Sequence, residues 1–551
     1  MSQLLPQTGS QQLNADVNIF TNLLVKDSGK YPLVASIYCE NIQRLRPGRQ
    51  EVDGLTLNIV DLRGNCTTIH RPTSITVGEL LNELEGYKRI FVGGREQLPE
   101  TPLASIVNAT TARVLVDGRP TRANVVAGNL TDTFVIETFL ADRVAFNWNR
   151  PHYKGLVTAA GQSANYVYFH YQVIKKAIYG RVHLFIRAEL GQDGRYHITD
   201  ESSSGKVAVK QIYKEVVQRH INSGREMFED PLEEVAVMLS LGQVQPRHQN
   251  VMNVIEVGQD ANSIYLVLPF ADGGELFDTI SAGGAQEEGV TRFYIRRMAD
   301  GLMHLHQSGI SMNDTSLENT MLHRFHEERI EPILMDFGMA DFLLSDDYGA
   351  RVKNKANKAG KISYLAPEVF QREKYDGVYA DIWSLGVIAF MLMTGSPPFE
   401  QPNGLCARFR YVKKNSLSEL LVEWQNQNLI PRLSDYFHHL MDHVLIPDKP
   451  WLRLPLPVIL EHPFITGEIL NASLWGKYQQ MIGLFQKLAH YSYLLETSGS
   501  IPAERIQEVS TALSEFRLAV NVYSSANGDV DRLITWCNTQ MRTFFGNAPL
   551  V

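Results

Sequence analysis

The stretch SMNDTSLENTML, residues 311–322, and the MDFG that follows it at residues 335–338 decide how this chain is interpreted. Asp314 and Asn319 stand close together in the first segment, and Asp336 opens the second. Carboxylate and amide oxygens are hard ligands of the kind that magnesium accepts beside phosphates, where it keeps much of its water. The two segments therefore carry side chains that suit a hard metal ion.

Further motifs flank this stretch on both sides. Upstream lie VAVK (207–210), EVAVMLSL (234–241) and IYLVLPFADGGELFDTI (264–280). Downstream lie SYLAPEVF (363–370), DIWSLGVIAFMLMTG (381–395) and WLRLPLPVILEHPF (451–464). The alternation in VAVK predicts a strand that carries Lys210, and the apolar spacing after Glu234 predicts a helix.

In this order and spacing the motifs resemble the protein kinase superfamily, with GGELFD (273–278) similar to the calcium/calmodulin-dependent type. One such motif occurs by chance, but an ordered series does not. The resemblance covers roughly the middle half of the chain. It implies a bilobal α+β kinase fold and transfer of a phosphoryl group from ATP to a protein hydroxyl, with serine or threonine as the expected acceptor.

The resemblance also implies a role for each matching residue. Lys210 would bind the ATP phosphates with Glu234 as its partner, and Asp314 would orient or accept the proton of the attacking hydroxyl. Asn319 and Asp336 would hold Mg²⁺, so the catalytic set is Asp314, Lys210, Glu234 and Asn319. The implied nucleotide-binding residues are Gly180, Val182, Ala208, Lys210, Leu268, Pro269, Phe270, Ala271, Glu275 and Met321.

Two supporting pairs follow from the same resemblance. Glu368 would pair with Arg453, and Asp381 would brace the loop that contains Asp314. Glu275 matches a family position that recognises ribose and basic residues near the target hydroxyl, which predicts a preference for basic substrates. The alternative is that Glu275 only begins a helix and interacts with its dipole.

The glycine-rich loop departs from the family pattern. Aligned on YQVIKKAIYGRVHLF (171–185), it keeps only Gly180, with Tyr179 at its tip. A rival alignment on LGQDGRYHI (190–198) fits the strand-loop-strand pattern less well. With the first alignment, residues 187–206 form an extended hairpin before Lys210.

Two further departures concern activation and rate. Asn313 replaces the arginine that binds a phosphorylated activation loop, and GARVKNKANKAGK (349–361) contains no serine, threonine or tyrosine. We therefore expect a kinase that is not activated by phosphorylation within that loop. Ser316 replaces a lysine that touches the transferring phosphate, which predicts slower transfer.

These departures leave an alternative open, a pseudokinase scaffold that acts through nucleotide sensing and through its N-terminal module. A third interpretation, an acidic-partner or nucleic-acid binder built on the basic loop, is weak because the net charge is -8. The expected partners are a protein substrate and a protein that binds the N-terminal module. The sequence contains neither a secretory signal nor an uninterrupted membrane-spanning stretch, and its four cysteines are widely spaced, so a cytoplasmic or nuclear location is expected.

The 551 residues predict several domains. Residues 54–118 follow the strand and helix order of the ubiquitin-like β-grasp family, which they resemble in pattern more than in identity, and Ile90 is a candidate contact if it is not buried. The remaining expected segments are a partly disordered stretch at 1–53, a linker with a helix in TFVIETFLADRVAF at 119–165, a kinase domain at 166–466 and a helical extension at 467–551.

Overall fold

A computed structural model of the protein describes the backbone of six early strands and most of the chain from residue 134 onward. The described ranges after those strands are 134–198, 200, 205–223, 229–244, 246–326, 329–345, 351–352, 360–371, 375–498 and 505–527. The chain divides into two compact units. The first comprises the chain to Gly274 with His306–Ile310 and Leu322–Val352, and the second comprises Glu275–Leu305, Ser311–Met321 and the chain from Lys353.

The first unit contains a six-stranded antiparallel sheet near its N-terminus. Its strands are β1 (Leu33–Cys39), β2 (Gly54–Val60), β3 (Cys66–Pro72), β4 (Tyr87–Val92), β5 (Arg95–Glu96) and β6 (Arg113–Gly118). They lie in the order β3-β2-β1-β6-β4-β5. Residues 1–53 were predicted to lie outside this domain, but β1 pairs with both β2 and β6. The sheet therefore includes a strand from that segment; the side chain of Ile90 lies outside the described part.

A second sheet of eight strands follows in the same unit. Its strands are β7 (Val135–Leu140), β8 (His152–Val157), β9 (Tyr166–Ala177), β10 (Gly180–Leu190), β11 (Tyr196–Ile198), β12 (Lys206–Tyr213), β13 (Glu256–Gln259) and β14 (Ser263–Pro269). The order is β13-β14-β12-β10-β9-β8-β7, with β11 paired to β10. Val207 and Val209 are buried in a core with Tyr168 and Phe185, and Lys210 alternates to the opposite face.

The prediction that the apolar run at 133–146 forms a linker helix was wrong. Val135–Leu140 is a strand that pairs with β8, and a short 3-10 turn, Ala141–Arg143, follows it. The β-branched and aromatic residues of the run suit a sheet, where Phe139 packs edge to face against Phe169 with ring centroids 5.1 Å apart. The helix of this segment is α1 (Ala159–Ala164), which begins where the Thr158 hydroxyl accepts a hydrogen bond from the Gly161 N–H.

Two further helices belong to the first unit, and several short strands follow them along the chain. The helices are α2 (Lys214–Asn222) and α3 (Pro231–Gln243). The α3 helix begins at Asp230, whose carboxylate accepts hydrogen bonds from the N–H groups of Leu232 and Glu233. The short strands are β15 (Ile310–Ser311), β16 (Thr320–His326), β17 (Arg329–Leu334), β18 (Asp341–Phe342), β19 (Leu344–Ser345) and β20 (Arg351–Val352).

The second unit is mainly helical. Its helices are α4 (Leu276–Gly283), α5 (Glu288–Gln307), α6 (Pro367–Phe370), α7 (Gly377–Thr394), α8 (Ala407–Lys414), α9 (Leu417–Asn426), α10 (Asp435–Val444), α11 (Leu456–Leu460), α12 (Pro463–Thr466), α13 (Ala472–Ser498) and α14 (Ile506–Asn527), with 3-10 turns at Ile362–Tyr364 and Pro450–Leu452. The α13 helix is joined to the second of these turns by Trp451 and Tyr493, whose rings stack 3.6 Å apart.

The α7 helix is the central core element of the second unit. Its length and mean hydropathy of 1.5 would allow it to cross a membrane, but 89% of the helix is buried inside the protein. Asp376 accepts a hydrogen bond from the Val378 N–H at its start, and Gly395 ends it in a left-handed conformation. A helix that is apolar on all sides is expected where neighbouring elements cover it completely.

Candidate active site

Lys210 and Glu234 form a buried ion pair in the first unit. The Lys210 Nζ donates to both carboxylate oxygens of Glu234 at 2.6 Å, and Asp336 Oδ1 lies 3.7 Å away. Burial lowers the pKa of Lys210, but the Glu234 and Asp336 carboxylates outweigh this effect and hold the pKa above its usual value. Lys210 is therefore a fixed positive charge.

The register of the sheet surrounds Lys210 with the residues expected at a nucleotide site. On β12, Lys210 lies opposite Val182 of β10 and Leu266 of β14. Ala208, two residues earlier on the same face, lies opposite Leu268. Leu268, Pro269, Phe270 and Ala271 follow as half-buried residues at and beyond the end of β14.

The hairpin that replaces a glycine-rich loop joins β9 to β10 through Ile178 and Tyr179. Tyr179 is buried, its ring centroid is 5.7 Å from that of His220, and burial together with the charges of Asp230 and Glu229 raises its pKa to about 12. A Cβ on Gly180 would lie 1.8 Å from the Gln211 carbonyl oxygen. Gly180 is thus required by close packing on β12.

The rival stretch at residues 190–198 has a different role. It forms the turn between β10 and β11, with the Gly191 N–H donating to the Arg195 carbonyl. Both strands precede Lys210, as expected for an extended hairpin inserted before it. The alignment that uses Gly180 stays a prediction.

Asp314 and Asn319 lie together in the second unit. The Asn319 side-chain amide donates to Asp314 Oδ2 at 2.6 Å and to the Asp314 carbonyl at 3.0 Å. Asp381, fully buried, accepts hydrogen bonds from the N–H groups of Met312 and Asn313, each at 2.8 Å. The expected brace is present, and it orients the backbone that carries Asp314.

Lys361 is a member of this cluster that the sequence analysis did not single out. Its Nζ donates to Asp314 Oδ2 at 3.2 Å, to Ser316 Oγ at 2.9 Å and to Asn319 Oδ1 at 3.2 Å. Its backbone N–H also donates to Asp314 Oδ1. Lys361 is the last residue of the basic stretch 349–361, for which no catalytic role was predicted. The absence of a cation at Ser316 is the sequence signal that indicates a replacement elsewhere in the chain.

Two opposing effects determine the pKa of the Asp314 carboxyl group. Burial raises the pKa of the Asp314 carboxyl, and the ammonium of Lys361 lowers it, together with the hydrogen bonds that Lys361 and Asn319 donate. Burial prevails, so the pKa stays above the ordinary aspartate value. A raised pKa makes a carboxylate a better proton acceptor.

The remaining predicted residues are distributed over both units. Glu275 precedes α4, and its N–H donates to Asp278 Oδ2, as in a helix capping box. The backbone of Glu275 also forms a bridge with Met321. Asp336 has a φ of 67°, a left-handed conformation that is rare outside glycine, and its carboxylate faces Lys210.

These residues fit ATP and a magnesium ion. Lys210 presents a fixed ammonium for phosphate oxygens, and the Asp336 side chain, 32% exposed, offers a hard oxygen ligand. The Oδ1 of Asn319 already accepts from a cationic group. A polar oxygen oriented in this way suits a metal ion.

Comparison with known proteins identifies the family. Residues 191–465 match the protein kinase domain. A serine/threonine-protein kinase, SAPK3 of Oryza sativa subsp. indica, is 30% identical over 282 residues, which cover 50% of this chain and 78% of that protein. The chain belongs to the protein kinase family.

Two other kinases are similar to this chain over about half of its length. Serine/threonine-protein kinase SAPK2 of Oryza sativa subsp. japonica is 26% identical over 329 residues, covering 59% of this chain and 88% of that protein. CBL-interacting protein kinase 33 of the same subspecies is 31% identical over 265 residues, covering 48% of this chain and 51% of that protein. The family match begins after Gly180 and Val182, so it does not bear on those two positions.

Most of the expected activation loop of the kinase lies outside the described residues. The structure describes only the backbone of β20 and then Gly360 and Lys361 within 349–361. The two hydroxyl residues just before this stretch, Ser345 and Tyr348, are candidate modification sites; Tyr348 lies outside the described residues, and the side chain of Ser345 is not described. The prediction about phosphorylation of this loop therefore stays a prediction.

Proposed function

We propose that this kinase transfers the terminal phosphoryl group of ATP to serine or threonine hydroxyls of protein substrates. The observation that carries the proposal is the Lys210–Glu234 ion pair, in which both carboxylate oxygens lie 2.6 Å from the ammonium. Formation of this pair is a requirement for phosphoryl transfer in protein kinases. The names of the relatives support serine and threonine as acceptors.

The proposed mechanism assigns one task to each side chain. Lys210 binds the α- and β-phosphates and Glu234 keeps its ammonium in place. Asp314 accepts or orients the proton of the substrate hydroxyl while Asp381 holds the backbone of its loop. Asn319 and Asp336 would hold Mg²⁺, which when bound neutralises phosphate charge. Val182, Ala208 and residues 268–271 enclose the adenine.

We also propose that activity does not depend on phosphorylation within residues 349–361. Asn313 cannot form the charge-assisted pair that an arginine makes with a phosphate. In addition, Lys361 already donates to Asp314 without any modification. Both observations favour a kinase in which Asp314 is positioned without modification of that stretch.

The alternative is a kinase fold that binds nucleotide without turnover. The buried Tyr179 favours it, because the β9–β10 hairpin packs on His220 instead of presenting free backbone N–H groups from several glycines. The two proposals differ in turnover and share nucleotide binding. An activity measurement therefore separates them.

The experiment is incorporation of labelled phosphate from Mg-ATP into a generic basic protein, with Asp314→Asn as the control. Incorporation that disappears in the folded Asp314→Asn variant supports the proposed activity. Equal background in both proteins, with a nucleotide-dependent rise in Tm, contradicts it and favours the nucleotide sensor.

The remaining assignments are also proposals. Residues 54–118 would form a ubiquitin-like module that binds a protein partner, and β1 would be an additional strand of it. The α13 and α14 helices would form the helical extension of the kinase. Glu275 would favour basic residues near the acceptor, in a protein of the cytoplasm or nucleus.

A further inference from the structure

The catalytic loop of this kinase lacks a cation where one is needed. Ser316 occupies the position at which the resemblance implies a lysine that touches the transferring phosphate. Its hydroxyl is fully buried and carries no charge. A transferring phosphoryl group develops charge on its oxygens, and a fixed cation stabilises that charge in a low-dielectric site.

The Lys361 ammonium lies at this position in the folded protein. It is 2.9 Å from Ser316 Oγ, although the two residues are 45 positions apart in the sequence. The same ammonium is 3.2 Å from Asp314 Oδ2 and 3.2 Å from Asn319 Oδ1. We propose that Lys361 is a catalytic residue, and that its ammonium replaces the missing cation and stabilises the transferring phosphoryl group.

The backbone conformation at Gly360 places Lys361 beside Asp314 and Ser316. Gly360 has a φ of 103°, and a Cβ there would lie 3.2 Å from Asp314 Oδ1 and 3.3 Å from the Asn313 carbonyl. The Lys361 N–H then donates to Asp314 Oδ1, and the 3-10 turn Ile362–Tyr364 follows immediately. The segment approaches the carboxylate closely because residue 360 has no side chain.

The ammonium has the exposure that contact with a substrate requires. The Lys361 side chain is 37% exposed, whereas that of Asp314 is 10% exposed. An ammonium has three N–H donors, and its contacts with Asp314, Ser316 and Asn319 employ all three. Asn319 Oδ1 is the atom proposed to bind Mg²⁺. If Asn319 Oδ1 bound the ion, one N–H of the Lys361 ammonium would become available to a phosphate oxygen.

A purely structural role makes a different prediction. If Lys361 only tethers its segment to Asp314, a neutral donor at the same position should largely replace it. If its charge stabilises the phosphoryl group, a neutral donor should fail, and a lysine placed at residue 316 should substitute for it. The two roles can therefore be separated by exchanging the residues.

The test rests on the proposed activity and uses the full chain. Lys361→Met and Lys361→Gln should each lower kcat about 10²-fold. ATP KM should change little, because the lost contact is made mainly in the transition state. The exchange variant Ser316→Lys with Lys361→Ser should recover most of the lost rate. Lys358→Met, a change in the same basic stretch of sequence, is the matched control and should retain wild-type kcat.

A binding measurement provides a readout that does not require turnover. Mg-ADP with aluminium fluoride mimics the transferring phosphoryl group, so Lys361→Met should bind this mixture about 10²-fold more weakly and Mg-ADP alone with unchanged affinity. The exchange variant should restore the tight binding.

Three outcomes would overturn the proposal. The first is a wild-type kcat in Lys361→Gln. The second is a rate increase in Lys361→Met, which would indicate that the lysine blocks the site. The third is a folded exchange variant that recovers none of the lost rate. An inactive wild-type chain that binds Mg-ADP and shows no preference for the fluoride complex would instead contradict the proposed function.

Discussion

Arg453 and Glu368 form a two-point ion pair in the interior of the second unit. The two guanidinium NH groups of Arg453 donate to the two Glu368 oxygens at 2.6 and 2.9 Å, and the Arg453 side chain is 0% exposed. Arg453 also donates to the carbonyls of Tyr379 and Ile446. The pair thus connects α6, α7 and the segment before α11.

Removing one member of this pair should be strongly destabilising. We expect Arg453→Met to lower the free energy of unfolding of the second unit by about 3–5 kcal/mol, because Glu368 remains as an uncompensated buried charge. Denaturant unfolding with a hydrogen-exchange readout on α7 measures this. The exposed pair Lys413–Asp448 of the same unit is the control, since Lys413→Met should leave stability unchanged. Equal effects of the two substitutions would contradict the interpretation.

Substitutions in the Lys210–Glu234 pair should affect stability and nucleotide binding differently. Lys210→Met leaves the Glu234 carboxylate buried beside Asp336, so we expect lower stability and no rise in Tm with Mg-ATP. Adding Glu234→Gln removes the unpaired charge and should recover part of the lost stability without restoring the nucleotide effect. Differential scanning fluorimetry measures both. A nucleotide-dependent rise in either variant would exclude Lys210 from phosphate binding.

Gly180 should tolerate no side chain. The Cβ of Gly180→Ala would lie 1.8 Å from a backbone oxygen of β12, so β10 and β12 must separate where Lys210 and Val182 face each other. We expect weaker Mg-ATP binding and a lower Tm. Gly289→Ala is the matched control, because that glycine is in helix α5 with open space around it and should be neutral or slightly stabilising. Unchanged ATP affinity in a folded Gly180→Ala variant would show that this hairpin does not bind nucleotide.

A cluster of buried histidines should make the second unit sensitive to acid. His462 Nδ1 accepts from the Phe464 N–H, so its Nε2 carries the proton and donates to His439 Nδ1 at 3.0 Å. Burial, with some repulsion from His443, lowers the pKa of His439 from 6.5 to about 3, and burial also lowers the pKa of His462. Both rings are therefore neutral in the folded protein.

The sign of the pH effect follows from these lowered pKa values. Between pH 6.5 and about 3, His439 binds a proton in the unfolded chain but stays neutral in the folded protein. Stability should be complete above pH 6.5 and decline as the pH falls. His439→Gln, whose amide oxygen can still accept from His462, should give a shallower decline of Tm between pH 7 and pH 4. An identical slope in the variant would show that these rings do not control acid sensitivity.

Much of the kinase domain could be predicted from local sequence. The alternation of VAVK predicted the strand with Lys210, because side chains of a strand alternate between faces. The short spacing of Asp314 and Asn319 predicted that both would act in one loop. Residues 133–146 were misassigned because a short apolar run is compatible with either a helix or a strand, and only its pairing with β8 decides between them.

The sequence by itself determined the family and the order of the motifs, and it predicted the residues for phosphate, metal and proton, because each depends on residue types at short spacing. The tertiary structure alone decided that β1 joins the first sheet, that Tyr179 is buried and that Lys361 reaches Ser316. These relationships connect residues far apart in the chain. They depend on strand pairing and on the path of the backbone at Gly360, which no local pattern encodes.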